Sequence, residues 1–488
     1  MSTIKKTYLR YECADAFSVT CDATAYSSQI ISHVGGGPPI VLCAAKSQCL
    51  AFHLRRGVPC AKIAHREPTN IGTGRALNSN EITCLTSASQ SEVKEYLATG
   101  WADGSIRLFT LSSQNLQKAS TTLNASNPQH NLGLVHSLLH PKSMVNDDFL
   151  MQTCADPLVL NGHGTTPVRC LALDSKSSRL ASGGSDGAVI VWDIVAETGL
   201  FRLLGHKGGI THLSFVSPKG FYNQNQNAVT SSANASSFDG LISAGLDGMV
   251  KIWDLDAQCC VQTLTGHRSE VWAADCVSLQ EDQSNSEDDD TKSVPRYRLI
   301  TGSSDVQLRV WGLYQPKRTA VLDTSDEADD LDNVAVYMGS IHRQTNERAS
   351  FVKFHPTGRL VAVLAHNSKV VEIYSVRTVK ESEKKRKRRI RRRREKESSK
   401  DKKPIKKGGL LDDDEVPDNS EAIEDDLPLE MLKATDELDL VGLLRSHTKI
   451  KSFDFSPKLE ANGAARLILA LSSNALESHL IMPNHKPE

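Results

Sequence analysis

The chain has 488 residues, 39% of them apolar and 24% charged, and 57 Lys plus Arg against 58 Asp plus Glu leave a formal charge of −1. It holds no run of 18 apolar residues to span a bilayer, and Met1–Arg10 lacks the apolar core of a secretory signal. The cysteines number eleven, are scattered and form no C-x-x-C, which argues for a reduced cytosolic or nuclear compartment and against a disulfide framework or a zinc site. Near-neutrality is an average: residues 380–407 hold 17 basic and 5 acidic residues, +12, so the rest of the chain sums to −13.

In chain order, a strand near Tyr8 to Thr20 is expected first, pairing with the last unit of the chain. Gly35-Gly-Gly37 before Pro38-Pro39, and Gly72-Thr-Gly74 further on, lack the G-x-x-x-x-G-K-[ST] pattern, so each is a turn rather than a phosphate cradle. Val41 to Phe52 is the first copy of a repeated unit, with Lys46 at its turn. The pattern sharpens in Leu97-Ala-Thr-Gly-Trp-Ala-Asp103-Gly-Ser-Ile-Arg-Leu-Phe109. It returns as Leu180 to Trp192-Asp193, Leu241 to Trp253-Asp254 and Leu299 to Trp311-Gly312. In each, an apolar strand carries Ser or Thr four residues before an Asp, and a second strand ends in an aromatic residue six after it. Asp-Gly between two such runs signals a hairpin, because Gly accepts the positive φ that the turn needs. Degenerate copies follow at Leu360 to Tyr374, with Ser368 at the turn, and at Leu467 to His479, with Ser473 there.

The turns at 46, 103, 186, 247, 305, 368 and 473 number seven, a count at which a propeller closes and leaves no open sheet edge. The expected architecture is a single all-β, seven-bladed propeller over residues 8–480. Polar insertions account for the long spacing between turns: Asn115 to Asp156 between blades two and three, Asn223 to Ser237, Gln280 to Asp290, and a charged, disordered insertion at 380–432 between blades six and seven. Trp101 and Trp272 fall outside the repeated Trp position and are expected either as partner contacts on a propeller face or, equally, as packing between blades.

A Gly-His dipeptide precedes three units, ending at His163, His206 and His267. An imidazole from that loop can bond the turn carboxylate while the Ser/Thr hydroxyl and the indole N–H complete a chain, so that every buried polar group has a partner. The expected structural networks are His163, Ser182, Asp186 and Trp192; His206, Ser243, Asp247 and Trp253; and His267, Thr301, Asp305 and Trp311. Their likeness to a nucleophilic triad is superficial, because three copies recur at one spacing.

These residues resemble the WD-repeat family, whose units run from Gly-His to Trp-Asp and fold as propeller blades. Lys6-Thr-Tyr-Leu-Arg-Tyr11, Trp192 to His206, Gly266 to Trp272 and Thr448-Lys-Ile-Lys-Ser-Phe453 are similar, within that family, to the UTP-B scaffold subunits of the small-subunit processome. The resemblance implies a nuclear, nucleolar scaffold in small-subunit ribosomal RNA processing. Its implied partners are processome proteins of UTP-B, pre-ribosomal RNA and small nucleolar RNA, with no membrane and no small-molecule substrate. Such subunits carry a second propeller and a helical C-terminal domain, whereas this sequence reaches Glu488 after one ring.

Lys384, Lys385, Arg386, Lys387, Arg388 and Arg389, then Arg391, Arg392, Arg393 and Arg394, put ten cations in eleven residues. They point to nuclear targeting and to RNA phosphates, against the plain alternative of a solvated charge run. A second function is that of a cullin-RING substrate receptor. Such receptors carry Arg two residues after Trp-Asp, where this chain has Val195 and Asp256, so it is disfavoured. An enzyme is the third; no H-E-x-x-H, G-x-S-x-G or kinase signature occurs, and neither catalytic residue, cofactor nor metal is expected.

Overall fold

In the computed structural model each Asp-centred turn joins two antiparallel strands, and each such pair is the centre of a four-stranded sheet. The structure describes residues 10–18, 28–31, 40–45, 48–53, 58–64, 81–89, 94–112, 157–174, 176–216, 239–279, 297–314, 334–400, 433–456, 459–460 and 463–482. Their strands form seven antiparallel sheets of an all-β propeller: sheet I over residues 28–64, II over 82–161, III over 168–203, IV over 210–264, V over 271–342, VI over 349–445 and VII over 450–482. Sheet VII takes its fourth strand from the other end of the chain, where Arg10–Ser18 pairs antiparallel with Ala475–Met482. The terminal segments are thereby stitched into one sheet.

Burial explains why these strands read as apolar runs rather than alternating ones. The second strands of sheets IV and VII, Gly240–Gly245 and Ala465–Leu471, are buried at every position. A strand with hydrogen-bonded neighbours on both sides, packed between two adjacent sheets, has no wet face. Fourth strands such as Thr198–Leu203 and Cys259–Leu264 are exposed at half or more of their positions, so no regular burial pattern marks them in the sequence. The first strand of each sheet touches the first strand of the next, and Ile450–Phe455 of sheet VII touches Ser28–Ile31 of sheet I. Apolar clusters fill six of the junctions, from sheets I and II through to VI and VII.

This topology sorts the connections. Second-to-third turns and the links between sheets lie on one face, where the Asp and His residues of the repeats sit. First-to-second and third-to-fourth connections lie on the opposite face. The sequence misplaces two insertions in this frame. Leu158–Asn161 pairs with Ser105–Ser112, so Asn115 to Asp156 falls in chain order between the third and fourth strands of sheet II and not between sheets II and III. Likewise Leu438–Arg445 pairs with Val370–Val376, so the charged segment interrupts sheet VI between its third and fourth strands. Both fourth strands are short of repeat signature, which hid their membership. The insertions at Asn115 to Asp156, Asn223 to Ser237 and Gln280 to Asp290, the turn at Lys46, and residues 401–432 all lie outside the described residues.

The other correction concerns the start of the charged segment. Val379–Lys400 is a helix, α1, not a disordered insertion. Its Lys, Arg and Glu residues are good helix formers, and Thr378-Val-Lys-Glu381 closes its first turn reciprocally. The Glu381 amide donates to Thr378 Oγ1 at 3.3 Å, and the Thr378 amide donates to Glu381 Oε2 at 3.1 Å. A one-turn helix, α2 (Ala434–Glu437), returns the chain to sheet VI.

Candidate functional site

The structure brings the three predicted networks together. In sheet III, His163 lies between Asp186 (Nδ1 to Oδ1, 3.1 Å) and Ser182 (Nε2 to Oγ, 2.9 Å), and Trp192 Nε1 donates to Ser182 Oγ at 2.9 Å. Sheet IV repeats the geometry with His206, Asp247, Ser243 and Trp253 at 2.9, 2.8 and 2.8 Å. In sheet V the His267–Asp305 contact is 3.4 Å, His267–Thr301 is 2.8 Å, and Trp311 donates to Thr301 at 3.2 Å.

Donor chemistry dictates the protonation. A carboxylate only accepts, so His Nδ1–H donates to it. The indole only donates, so the hydroxyl accepts from Trp and donates its O–H to His Nε2. A neutral imidazole satisfies every atom, and an imidazolium would not. Burial lowers all three histidine pKa values against the opposing pull of the Asp partner, and takes His267, with help from Arg309, to about 4. Burial works against the Asp247 carboxylate as well, but the Lys207 amide and His206 outweigh it and hold its pKa below the usual value. The hydroxyls of Ser182, Ser243 and Thr301 sit in residues that are 0% exposed, so a substrate has no line of approach to them.

The Asp carboxylates also organise the turns. Met249 N–H donates to Asp247 Oδ1 at 3.1 Å, and the next residue after the Asp, Gly248, has φ +78°. A Cβ there would lie 3.0 Å from the Ser269 carbonyl oxygen, so glycine is needed for conformation and for space. Replacing Asp247 by Ala is expected to destabilise the protein by about 1–3 kcal/mol, because the Lys207 amide and His206 lose a buried acceptor. Function should fall only as folded protein falls; a stable but inactive Asp247→Ala protein would contradict a structural role.

Stability should also fall with acid in a defined window. Where a folded-state pKa is below the unfolded one, the unfolded chain binds the extra proton, so stability is complete above the unfolded value near 6.5 and drains as pH falls toward the folded value. For His267, and for His212, which burial and Lys353 also hold at about 4, that window runs from 6.5 to about 4. The slope approaches about 1.4 kcal/mol per pH unit for each. Asp275, pushed up to about 6 by burial, acts in the opposite sense and recovers a part. Melting temperatures measured from pH 7 to 4 should therefore decline, and His267→Asn should show a shallower decline. An identical slope in that variant would refute the assignment.

Two sheets solve the same polar problem with residues that the repeat does not announce. In sheet II, Trp101 is 1% exposed and packs between sheets I and II, the second of its two expected roles. Its indole donates to Thr99 Oγ1 at 2.9 Å, the bond Phe109 cannot make, and the Arg107 guanidinium lies 3.8 Å from its ring centre. In sheet VI the Tyr374 hydroxyl donates to Glu372 at 2.5 Å, and the Thr345 amide and hydroxyl donate to the same carboxylate at 2.9 and 2.7 Å. Trp272 is half-buried, with the Arg348 guanidinium 3.9 Å from its ring centre.

The basic run lies on α1, which leaves the third strand of sheet VI on the face away from the Asp turns. It is not one uniform surface. Lys385 Nζ donates to the Thr435 carbonyl at 2.6 Å and to Asp439 at 3.1 Å; Arg389 reaches both oxygens of Asp436, with NH2 to Oδ2 at 2.9 Å. Ser382 is buried on the same side, and Lys385, Arg386 and Arg389 are half-buried. Lys384, Lys387, Arg388, Arg391, Arg392 and Arg393 are exposed, and Arg394 follows them in the helix. Sequence reasoning missed the docking pairs because the partners are 47 and 54 residues apart, although Thr-x-x-Glu at 378–381 does announce the helix start. Among the described residues no group of three or more His, Cys, Asp or Glu could hold a metal ion, and no helix is long and apolar enough to cross a membrane.

Comparison with known proteins places these features. Residues 156–193 and 198–254 match the family model "WD domain, G-beta repeat". Transducin beta-like protein 3 of Rattus norvegicus is 31% identical over 169 residues, which cover 34% of this chain and 17% of that protein. U3 small nucleolar RNA-associated protein 12 of Saccharomyces cerevisiae is 27% identical over 152 residues, 24% of this chain and 15% of that protein. The matches therefore span about a sixth of those relatives. A chain of the crystal structure of the mitotic checkpoint complex superposes with a TM-score of 0.51 at 13% identity, covering 98% of this chain and 93% of that one, which is a likeness of fold.

Proposed function

We infer, from the WD40 repeats that this chain carries, that its seven sheets are the blades of one closed ring, a non-enzymatic nucleolar scaffold of the small-subunit processome that acts in small-subunit ribosomal RNA processing. The His–Asp–Ser/Thr–Trp networks are structural in this reading: they hold blades rigid and do no chemistry, and no cofactor is called for. Partners are processome proteins, held on the ring, with pre-ribosomal and small nucleolar RNA, and the basic run serves nuclear targeting and RNA contact. The observation that carries the reading is the cationic helix fixed to one face of a WD-repeat fold whose relatives include a protein named for its association with U3 small nucleolar RNA. Val195 stands at the position where ligase receptors carry Arg, and it is 77% exposed with no guanidinium to offer.

The test is affinity purification of the tagged protein from nuclear extract, probed for U3 small nucleolar RNA and for cullin adaptor subunits. Enrichment of the RNA is expected. Co-purification of the adaptors without the RNA would overturn the scaffold reading in favour of the ligase one.

A further inference from the structure

Helix α1 divides the basic run by angle. Ser382, Lys385 and Arg389 face α2 and sheet VI, and carboxylates of Asp436 and Asp439 hold the two cations there. On the opposite side Lys384, Lys387, Arg388, Arg391 and Arg392 recur at i, i+3, i+4, i+7 and i+8, all exposed. At 1.5 Å per residue that stripe is about 12 Å long. The Thr378–Glu381 capping box and the Arg389–Asp436 fork fix its orientation before any ligand arrives. Glu395, 3.4 Å from Arg391, marks its far end.

We propose that this outer stripe is a docking surface for the phosphate backbone of double-helical RNA, bound without regard to sequence; the proposal rests on the RNA-scaffold reading above and specifies its partner. What the helix lacks decides the class. From Val379 to Lys400 there is no aromatic side chain, so unstacked bases lack the aromatic platform that single-strand binders use. It has no Asn or Gln to pair with adenine edges, and the deep, narrow major groove of an RNA duplex keeps its Arg and Lys heads from reading guanine. Its apolar residues are Val379 and Ile390, and Ile390 is half-buried away from the stripe, so a protein partner finds no apolar anchor and a bilayer no apolar face. What remains is a rigid row of cations, which suits a rigid row of phosphates.

The full chain is titrated with an RNA duplex of about 20 base pairs, a second duplex of scrambled sequence, a single strand of the same length and a polyglutamate peptide, at salt from about 50 to 200 mM. The comparison variant carries Lys384→Gln, Lys387→Gln, Arg388→Gln, Arg391→Gln and Arg392→Gln and keeps Lys385 and Arg389; its melting temperature reports that the helix stays docked. Expected are equal binding of the two duplexes, weaker binding of the single strand, and a salt slope reduced in the variant by about 0.9 for each phosphate that is no longer neutralised, up to ~4.5 in all. An unchanged slope, single-strand binding as tight as duplex binding, or binding of polyglutamate in place of the duplex would overturn the proposal. If U3 small nucleolar RNA co-purifies with both forms while the slope is unchanged, the stripe assignment fails and the scaffold reading stands. Duplex binding through the stripe without co-purification of that RNA upholds the stripe assignment and overturns the scaffold reading.

Discussion

Replacing Trp253 by alanine will cost about 3–5 kcal/mol, the range for removing a large buried ring. The indole is 3% exposed and packs at the junction of sheets III and IV with Val189, Val191, Leu203, Ile210 and Leu241. Its loss opens a cavity between two sheets that are each already closed by their own hydrogen bonds, so neither can collapse far into the space. Trp253→Phe separates packing from hydrogen bonding. The phenyl ring keeps most of the apolar contact but leaves Ser243 Oγ without its 2.8 Å donor, for a cost of about 1–2 kcal/mol. Urea denaturation followed by circular dichroism gives both values. Equal costs for the two variants would show that the hydrogen bond, and not the ring, dominates this junction.

Glu437→Ala will be of similar size for a different reason. Glu437 of α2 pairs with Arg298 on the second strand of sheet V, and the two residues are 4% and 2% exposed. Burial raises the pKa of Glu437 and lowers that of Arg298, and their mutual attraction opposes both shifts. Removing the carboxylate strands a buried guanidinium, at about 3–5 kcal/mol. Replacing both, Arg298→Met with Glu437→Leu, should restore stability to the wild-type level or above, because a well-packed apolar pair has no desolvation cost. Since α2 carries Asp436, the single variant should also loosen α1, seen as lower helical ellipticity and weaker protection of residues 379–389 in hydrogen exchange. A single variant as stable as the wild type would mean that the pair is not buried in solution.

The strong repeats are legible because they are local. Leu241 to Trp253 states two strands, a turn, a hydroxyl and an indole within thirteen residues, and the His206 that completes the set is announced by its Gly-His dipeptide. Trp101 is left undecided by the sequence for the converse reason. It lies on the strand before the turn and not at the repeated position after it, and only the packed sheet shows that its indole replaces the donor missing from Phe109. Glu372 and Tyr374 do the same for sheet VI with Thr345, 27 residues away.

The strands of the strong repeats, their Asp-centred turns, the three His–Asp–Ser/Thr–Trp networks and the concentration of charge are legible in the sequence alone, since each depends on neighbours close in the chain or on composition. Pairing of the N-terminal strand with the last unit was expected from sequence and is found, whereas tertiary structure decided which sheets Leu158–Asn161 and Leu438–Arg445 join and which face carries the charged segment. It also decided that two cations of the basic run are anchors and the outer ones a surface. That division depends on Asp436 and Asp439, which approach α1 only because Leu438–Arg445 must pair with Val370–Val376 to complete sheet VI. Long-range strand pairing sets these positions, and no spacing within the run encodes it.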